Sequence, residues 1–264
     1  NPVTTPATTD VVLDALPAGA LNLTSPLLRV QNCIDEGTLT PGNFSFHACE
    51  MQQLAVADAQ GDFPYTFSSD FDPEDQYAEV AMFYHASKAY AYMTSIGMPE
   101  LDAKPLELVV NLRLPVGFEE FDFQLMTDPT LPLQPYNNAF FTPENPFFGS
   151  FGPESPGLWL GQGTFTDFAY DGDVVYHEFG HAMIHRTIEL VHYWHLDSQG
   201  VLPAPGAMNE GLADYFSSAI TGDSQVGEYA AQNFVQLGLG NIRDLDNDHA
   251  SPTHLVGEVD ADST

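Results

Sequence analysis

His177, Glu178 and His181 stand as His-Glu-x-x-His inside the stretch Val175-Tyr176-His177-Glu178-Phe179-Gly180-His181-Ala182-Met183-Ile184-His185. Residues four apart on a helix stack on one face, so the two imidazoles can meet a single metal ion. Glu178, one position round, can then face a water on that metal, which is a zinc hydrolase arrangement. Zinc held by two histidines needs at least one more protein ligand and an open position. Downstream, Ala207-Met208-Asn209-Glu210-Gly211-Leu212-Ala213-Asp214-Tyr215-Phe216 places Glu210 and Asp214 one helical turn apart. Glu210 is the candidate third ligand. Asp214, on the same face, can accept the free ring N–H of a metal-bound histidine and fix its tautomer. Asn209 is assigned with it to supporting the ligands.

This chemistry calls for two helices and a wall along which a substrate can lie. Up to about residue 72, short apolar runs such as Leu27-Leu28-Arg29-Val30 alternate with Pro, Gly, Thr and Asn clusters, which predicts strands and turns. Asp72-Pro73-Glu74-Asp75 puts acids where a helix dipole favours them, and apolar residues from Tyr77 to Met93 predict a long helix ending near Gly97. Its aromatic stripe reads as core. Leu106 to Leu114 is strand-like, and the segment from Phe118 to Met126 is expected to pair with it. Pro, Asn, Phe and Gly dominate from Leu131 to Pro156, predicting extended segments and loops, and Leu158 to Phe168 resumes a strand pattern. At Asp171-Gly172-Asp173 the texture turns helical. Helices are expected through the histidine motif, from about Ala207 to Ile220, and from about Gln225 to Leu237. The fold class is therefore α+β: a β-rich N-terminal lobe with one long helix over residues 1–170, then a mainly helical lobe over residues 171–264.

The 264 residues carry 37 Asp and Glu against 6 Lys and Arg, a formal net charge of -31. Phosphate binding needs the opposite sign, so nucleic acid is excluded as a partner. The surplus of acid reads as solubility in a salty or extracellular medium. No apolar stretch is long enough for membrane insertion, and the expectation is a processed, secreted chain. Cys33 and Cys49 flank a short polar loop and read as a disulfide before they read as two free buried thiols.

Thr187 stands where a metzincin has its third His, and Ile184 replaces that pattern's Gly, which excludes that branch. His-Glu-Phe-Gly-His followed by Asn-Glu-Gly-Leu-Ala-Asp instead resembles the thermolysin-type gluzincins, including the fungalysin group. The resemblance implies a thermolysin-like fold, a Zn2+ cofactor and a secreted endopeptidase that hydrolyses peptide or protein substrates with Glu178 as general base. Tyr136-Asn137-Asn138-Ala139-Phe140-Phe141 is similar to the edge-strand motif by which that family holds the substrate backbone, which assigns Asn138 and Ala139 to substrate binding. Asn241-Ile242-Arg243-Asp244-Leu245 resembles the segment carrying the family's substrate-carbonyl arginine, here Arg243. Asp173 matches an Asp of a family calcium site, which implies Ca2+ with Asp223 and Glu228 completing the set.

One departure stands out. The family pattern has a transition-state His near the end of this stretch, and Val259-Asp260-Ala261-Asp262-Ser263 puts Asp260 there. An ionised Asp cannot donate to an oxyanion. His254 would substitute after a shift of register, so Asp260 and His254 are both carried as catalytic candidates, with His192, Tyr193 and His195 as further donors. The resemblance also implies that the helical lobe is C-terminally truncated at Thr264, with a cleaved C-terminal fragment of the same precursor as an expected partner. The alternative reading is a catalytically weak or inactive peptidase-like zinc-binding domain, used for binding or surface assembly.

Overall fold

Residues of strand-forming type at Leu28–Leu39 (β1) and Phe46–Gln52 (β2) pair as an antiparallel hairpin. They belong to a computed structural model that describes residues 8–39, 45–69, 72–98, 104–118, 120, 122–128, 130–144, 156–188, 190, 195–197, 200–202 and 204–247. The hairpin register shifts between Ile34 and Gly37, where a Cβ on Gly37 would lie 2.6 Å from the Ala48 carbonyl oxygen, so only glycine fits the bulge. A Cys33–Cys49 disulfide ties the two strands.

Helix α1 (Gln76–Ser95) starts where the Asp75 side chain accepts the Ala78 N–H at 2.6 Å, and it stops before Gly97, whose φ of +88° takes the chain out of the helix. Ala78, Met82, Phe83, Ala86, Ala89 and Met93 recur at helical spacing and are buried. The helix is also pinned by charge: buried Glu79 accepts from the Asn32 side chain and from the Leu54 and Ala55 amides.

β3 (Leu106–Leu114) is buried along nearly its whole length. The described residues of the segment after it do not pair as a strand. The segment forms a single helical turn, α2 (Phe123–Met126), because the Asp122 side chain caps the Gln124 and Leu125 amides. β4 (Gln134–Pro135) closes on the end of β3; β5 (Ala139–Thr142) and β6 (Gly157–Gly161) follow. The sheet runs β2-β1-β3-β6-β5, with β3 parallel to both neighbours and β5 antiparallel to β6 at the margin.

The second half holds α3 (Gly172–Ile188), a small hairpin of β7 (His195–Asp197) and β8 (Gly200–Leu202), α4 (Ala204–Thr221), and a short ladder of β9 (Gln225–Val226) with β10 (Arg243–Asp244). The third long helix expected here is absent. Gly227, at φ +77° with the Ile242 side chain packed where a Cβ would go, breaks the chain into β9 and a 3-10 segment over Ala230–Leu237. One cluster containing Phe83, Leu108, Leu158, Val175, Phe179 and Met183 runs without a break across residue 170, so α1, α3 and one face of the sheet share a core. A smaller cluster of Val109, Leu112 and Trp159 covers the other face. Among the described residues no helix is long and apolar enough to cross a membrane. The architecture is α+β.

Candidate metal centre

α3 and α4 pack tightly at Gly180, where an added Cβ would sit 3.0 Å from the Ala213 Cα. That contact brings the face carrying His177 and His181 against the face carrying Glu210 and Asp214. His177 Nε2 lies 3.0 Å from His181 Nε2 and 3.2 Å from Glu210 Oε2, and His181 Nε2 lies 3.5 Å from Glu210 Oε1. A tetrahedral ion with metal–nitrogen bonds near 2.0–2.1 Å holds its ligand atoms about 3.3 Å apart. The three distances bracket that value. Among the described residues this is the group of three that can hold one metal ion.

The outer nitrogens settle which ring atoms face the centre. His177 Nδ1 is 2.7 Å from Asp214 Oδ1, and His181 Nδ1 is 2.9 Å from Asn209 Oδ1. Carboxylate and amide oxygens accept, so with an ion bound both rings would carry their proton on Nδ1 and turn the Nε2 lone pair inward. Two lone pairs and a carboxylate then converge, a donor set suited to a divalent cation. With no ion bound, burial alone would lower His177, yet its hydrogen bonds to Asp214 and Glu210 and the Glu178 charge raise it to about 9. Burial likewise pushes Glu210 up, but the two histidines outweigh it and hold its carboxyl well below the usual range.

Glu178 lines the same cleft. Its Oε2 is buried and has no hydrogen-bond partner among the described residues, and burial lifts its carboxyl above the ordinary range against the opposing pull of His177 and His181. The cleft is about 400 Å3 and is bounded on the far side by Asn138, Ala139, Phe140 and Phe141. Asn138 accepts the Gly161 N–H through its main-chain oxygen, which sets the alternation of β5. The main-chain groups of Ala139 and Phe141 therefore point away from β6, toward a margin that no strand among the described residues covers. The Asn138 side chain covers the Ala139 N–H at 2.9 Å, a bond that an incoming carbonyl would replace.

Arg243 reaches the centre through the β9–β10 ladder, in which it pairs with Val226. Its Nε is 2.8 Å from Asp214 Oδ2. Its Nη2 is nearly equidistant from both His177 ring nitrogens, at 3.3 and 3.4 Å, so it lies over the ring and not in line with a lone pair. Arg243 thus lines the cleft while ion-paired to the acid that orients His177.

Of the residues expected to hold calcium, Asp173 meets Glu228 through a carboxyl hydrogen bond, and burial, the Asp171 charge and that bond push it up to about 8. Asp223 is exposed at a turn, where it caps the Gln225 amide, and the three do not converge on one point. Asp260 and His254 lie outside the described residues, as do His192 and Tyr193; His195 is described only through its main chain in β7.

Three features of the site were not drawn from the sequence. His185 continues the four-residue spacing of His177 and His181, lines the cleft and packs on Phe141 with ring centres 5.8 Å apart. Gly180 sets the helix approach. Buried Asp171 caps α3 by accepting the Asp173 and Val174 amides. The spacing of His185 was a readable signal; the other two depend on contacts between distant segments. Compared with protein-family profiles and with curated proteins, the chain matches none.

Proposed function

We propose that this chain is a secreted zinc-dependent endopeptidase of the thermolysin and fungalysin type, with a thermolysin-like fold. The observation that carries the reading is the convergence of His177, His181 and Glu210 in a cleft that also holds the unpartnered Glu178 oxygen and the free margin of β5. An extended peptide would pair with the main chain of Ala139 and Phe141, as an added strand does at a sheet edge. A zinc ion bound by the three ligands would supply Lewis acidity toward the scissile carbonyl and toward water. Glu178 takes a proton from the attacking water onto its carboxylate. It returns that proton to the amine as the C–N bond breaks, and its raised carboxyl suits both halves of the exchange. Arg243 adds hydrogen bonds to a peptide oxygen from its place on the cleft wall. Calcium bound near Asp173 and Glu228 is the accompanying proposal, since hard carboxylate oxygens suit it.

The test pairs metal analysis with hydrolysis of a quenched peptide. The expected result is one zinc per chain in both the wild type and Glu178→Gln, with cleavage lower in the variant by about 100-fold to 10,000-fold, the range of general acid–base catalysis. Stoichiometric zinc without cleavage by the wild type at any pH would sink the endopeptidase reading and leave a zinc-binding, peptidase-like binding domain.

A further inference from the structure

The short segment at residues 230–233 is tied to both walls of the cleft. On one side the Ala230 N–H donates to Asp171 Oδ2 at 2.8 Å, and Asp171 Oδ1 caps the head of α3. On the other, Asn233 is only 2% exposed. Its Oδ1 accepts the Phe165 and Thr166 amides at 2.8 and 3.1 Å, and its Nδ2 donates to the Thr166 carbonyl and hydroxyl at 2.7 and 2.9 Å. Two donors and two lone pairs are thereby all used. The loop that Asn233 holds is in turn joined to the chain leading into β5. The Thr164 N–H donates to Asn137 Oδ1 at 2.6 Å, and Asn137 Nδ2 donates to Thr164 Oγ1 at 2.7 Å.

Two glycines remove the slack from this connection. A Cβ on Gly161 would meet the Tyr136 carbonyl oxygen at 1.9 Å, and one on Gly163, at φ +69°, would meet the Thr166 carbonyl oxygen at 2.0 Å. The chain leading into β5 is therefore in main-chain contact with β6, and the loop after β6 meets the 3-10 segment through the Asn233 side chain, whose amide atoms lie 2.8 and 2.9 Å from the Gly163 Cβ position. Neither Asn137 nor Asn233 lines the cleft.

We propose that Asn137, Thr164 and Asn233 form a brace that fixes the free margin of β5 at its distance from α3, which makes Asn137 and Asn233 positioning residues for an extended peptide. The inference rests on the peptide reading of the cleft. A bound peptide must satisfy two walls at once: strand hydrogen bonds tolerate only about 2.7–3.2 Å, while the scissile carbonyl must also reach a metal held by α3. Only a fixed separation of β5 from α3 allows both.

The experiment uses the zinc-loaded full chain in a Glu178→Gln background, which prevents turnover, and an extended apolar peptide of about eight residues, long enough to span β5. Affinity is read by fluorescence anisotropy and amide exchange by NMR, with zinc content and thermal melts as controls. The peptide is expected to slow exchange at the Ala139 and Phe141 amides and not at Phe140. Asn137→Ala should weaken binding about tenfold, the loss of one or two hydrogen bonds, with zinc content unchanged. Asn137→Asp should restore it, because a carboxylate accepts from both the Thr164 N–H and the Thr164 hydroxyl. Asn233→Ala should act in the same direction; if it does not fold, the exposed Asn137 pair still decides. Binding of Asn137→Ala within twofold of the parent overturns the brace, as does an Asp variant as weak as the Ala variant, or no peptide binding to the parent. Hydrolysis by the wild type, measured alongside, judges the endopeptidase reading separately.

Discussion

Replacing Gly180 by Ala probes the contact on which the metal centre depends. The new Cβ would stand 3.0 Å from the Ala213 Cα, 3.3 Å from its Cβ and 3.5 Å from its carbonyl oxygen. Carbon atoms pack at about 3.5–4.0 Å, so the two helices must separate by roughly half an ångström. No rotamer change can relieve it, because the opposing atoms are main chain and Cβ. Two effects compete. Helix propensity favours Ala over Gly by about 1 kcal/mol, while forcing a methyl group into a packed contact costs about 1–3 kcal/mol. The balance is a metal-free protein less stable by about 0–2 kcal/mol. The larger effect falls on the site. Glu210 is three residues before Ala213 on α4 and moves with it, away from nitrogens now 3.2 and 3.5 Å from its oxygens. Zinc affinity should drop roughly tenfold, at the low end of what disturbed ligand support costs. A chelator competition titration measures that drop, and urea unfolding in EDTA measures the metal-free stability. Unchanged zinc affinity beside lowered stability would mean that α4 yields without carrying Glu210, and the reasoning about the helix contact would be refuted.

Asp214→Asn keeps the size of the side chain but loses the charge that orients His177 and holds Arg243, so zinc affinity should fall by about 10–100-fold with little change in the far-ultraviolet spectrum. An unchanged affinity would show that His177 needs no carboxylate. Asp173 predicts a pH effect on the protein without bound metal. Its folded value, raised to about 8 by burial and then by Asp171 and Glu228, lies above the unfolded one, so the folded state holds a proton that the unfolded state lacks. This contribution is fully present below about pH 4 and is lost as pH rises through 8. The urea midpoint should therefore fall between pH 5 and pH 8, and Asp173→Asn should flatten that slope; the same slope in the variant would rule the assignment out. Millimolar calcium should raise the wild-type midpoint at pH 8 and not that of Asp173→Asn.

Helix faces were legible because their spacing is local. His177 with His181, and Glu210 with Asp214, need only a four-residue interval, and α3 and α4 present His177, His181 and Glu210 to one point with Asp214 behind His177. Leu106–Leu114 was legible as a strand because Leu106, Leu108, Val109, Val110, Leu112 and Leu114 make a short apolar run broken only by Glu107, Asn111 and Arg113. The segment to Met126 was not, since a single Asp122 cap decided a turn over a strand. The missing third helix turned on Gly227, whose conformation is set by Ile242 from a distant stretch. Arg243 was visible as a rare cation, but its pairing with Asp214 follows from the β9–β10 ladder, which two-residue strands do not announce. The brace was beyond reach for the same reason: Asn233 and Thr166 are 67 residues apart, and no periodicity links them.

Three acceptor groups aimed at one point make the centre strongly basic. Without an ion, a proton on His177 is favoured there: burial disfavours its charge, but Asp214, Glu210 and Glu178 together raise the imidazole well above its ordinary value. A divalent ion entering the centre would have to displace that proton, so its binding would weaken as the medium is acidified. The acidity of the surroundings would then act on metal occupancy together with the supply of the ion itself.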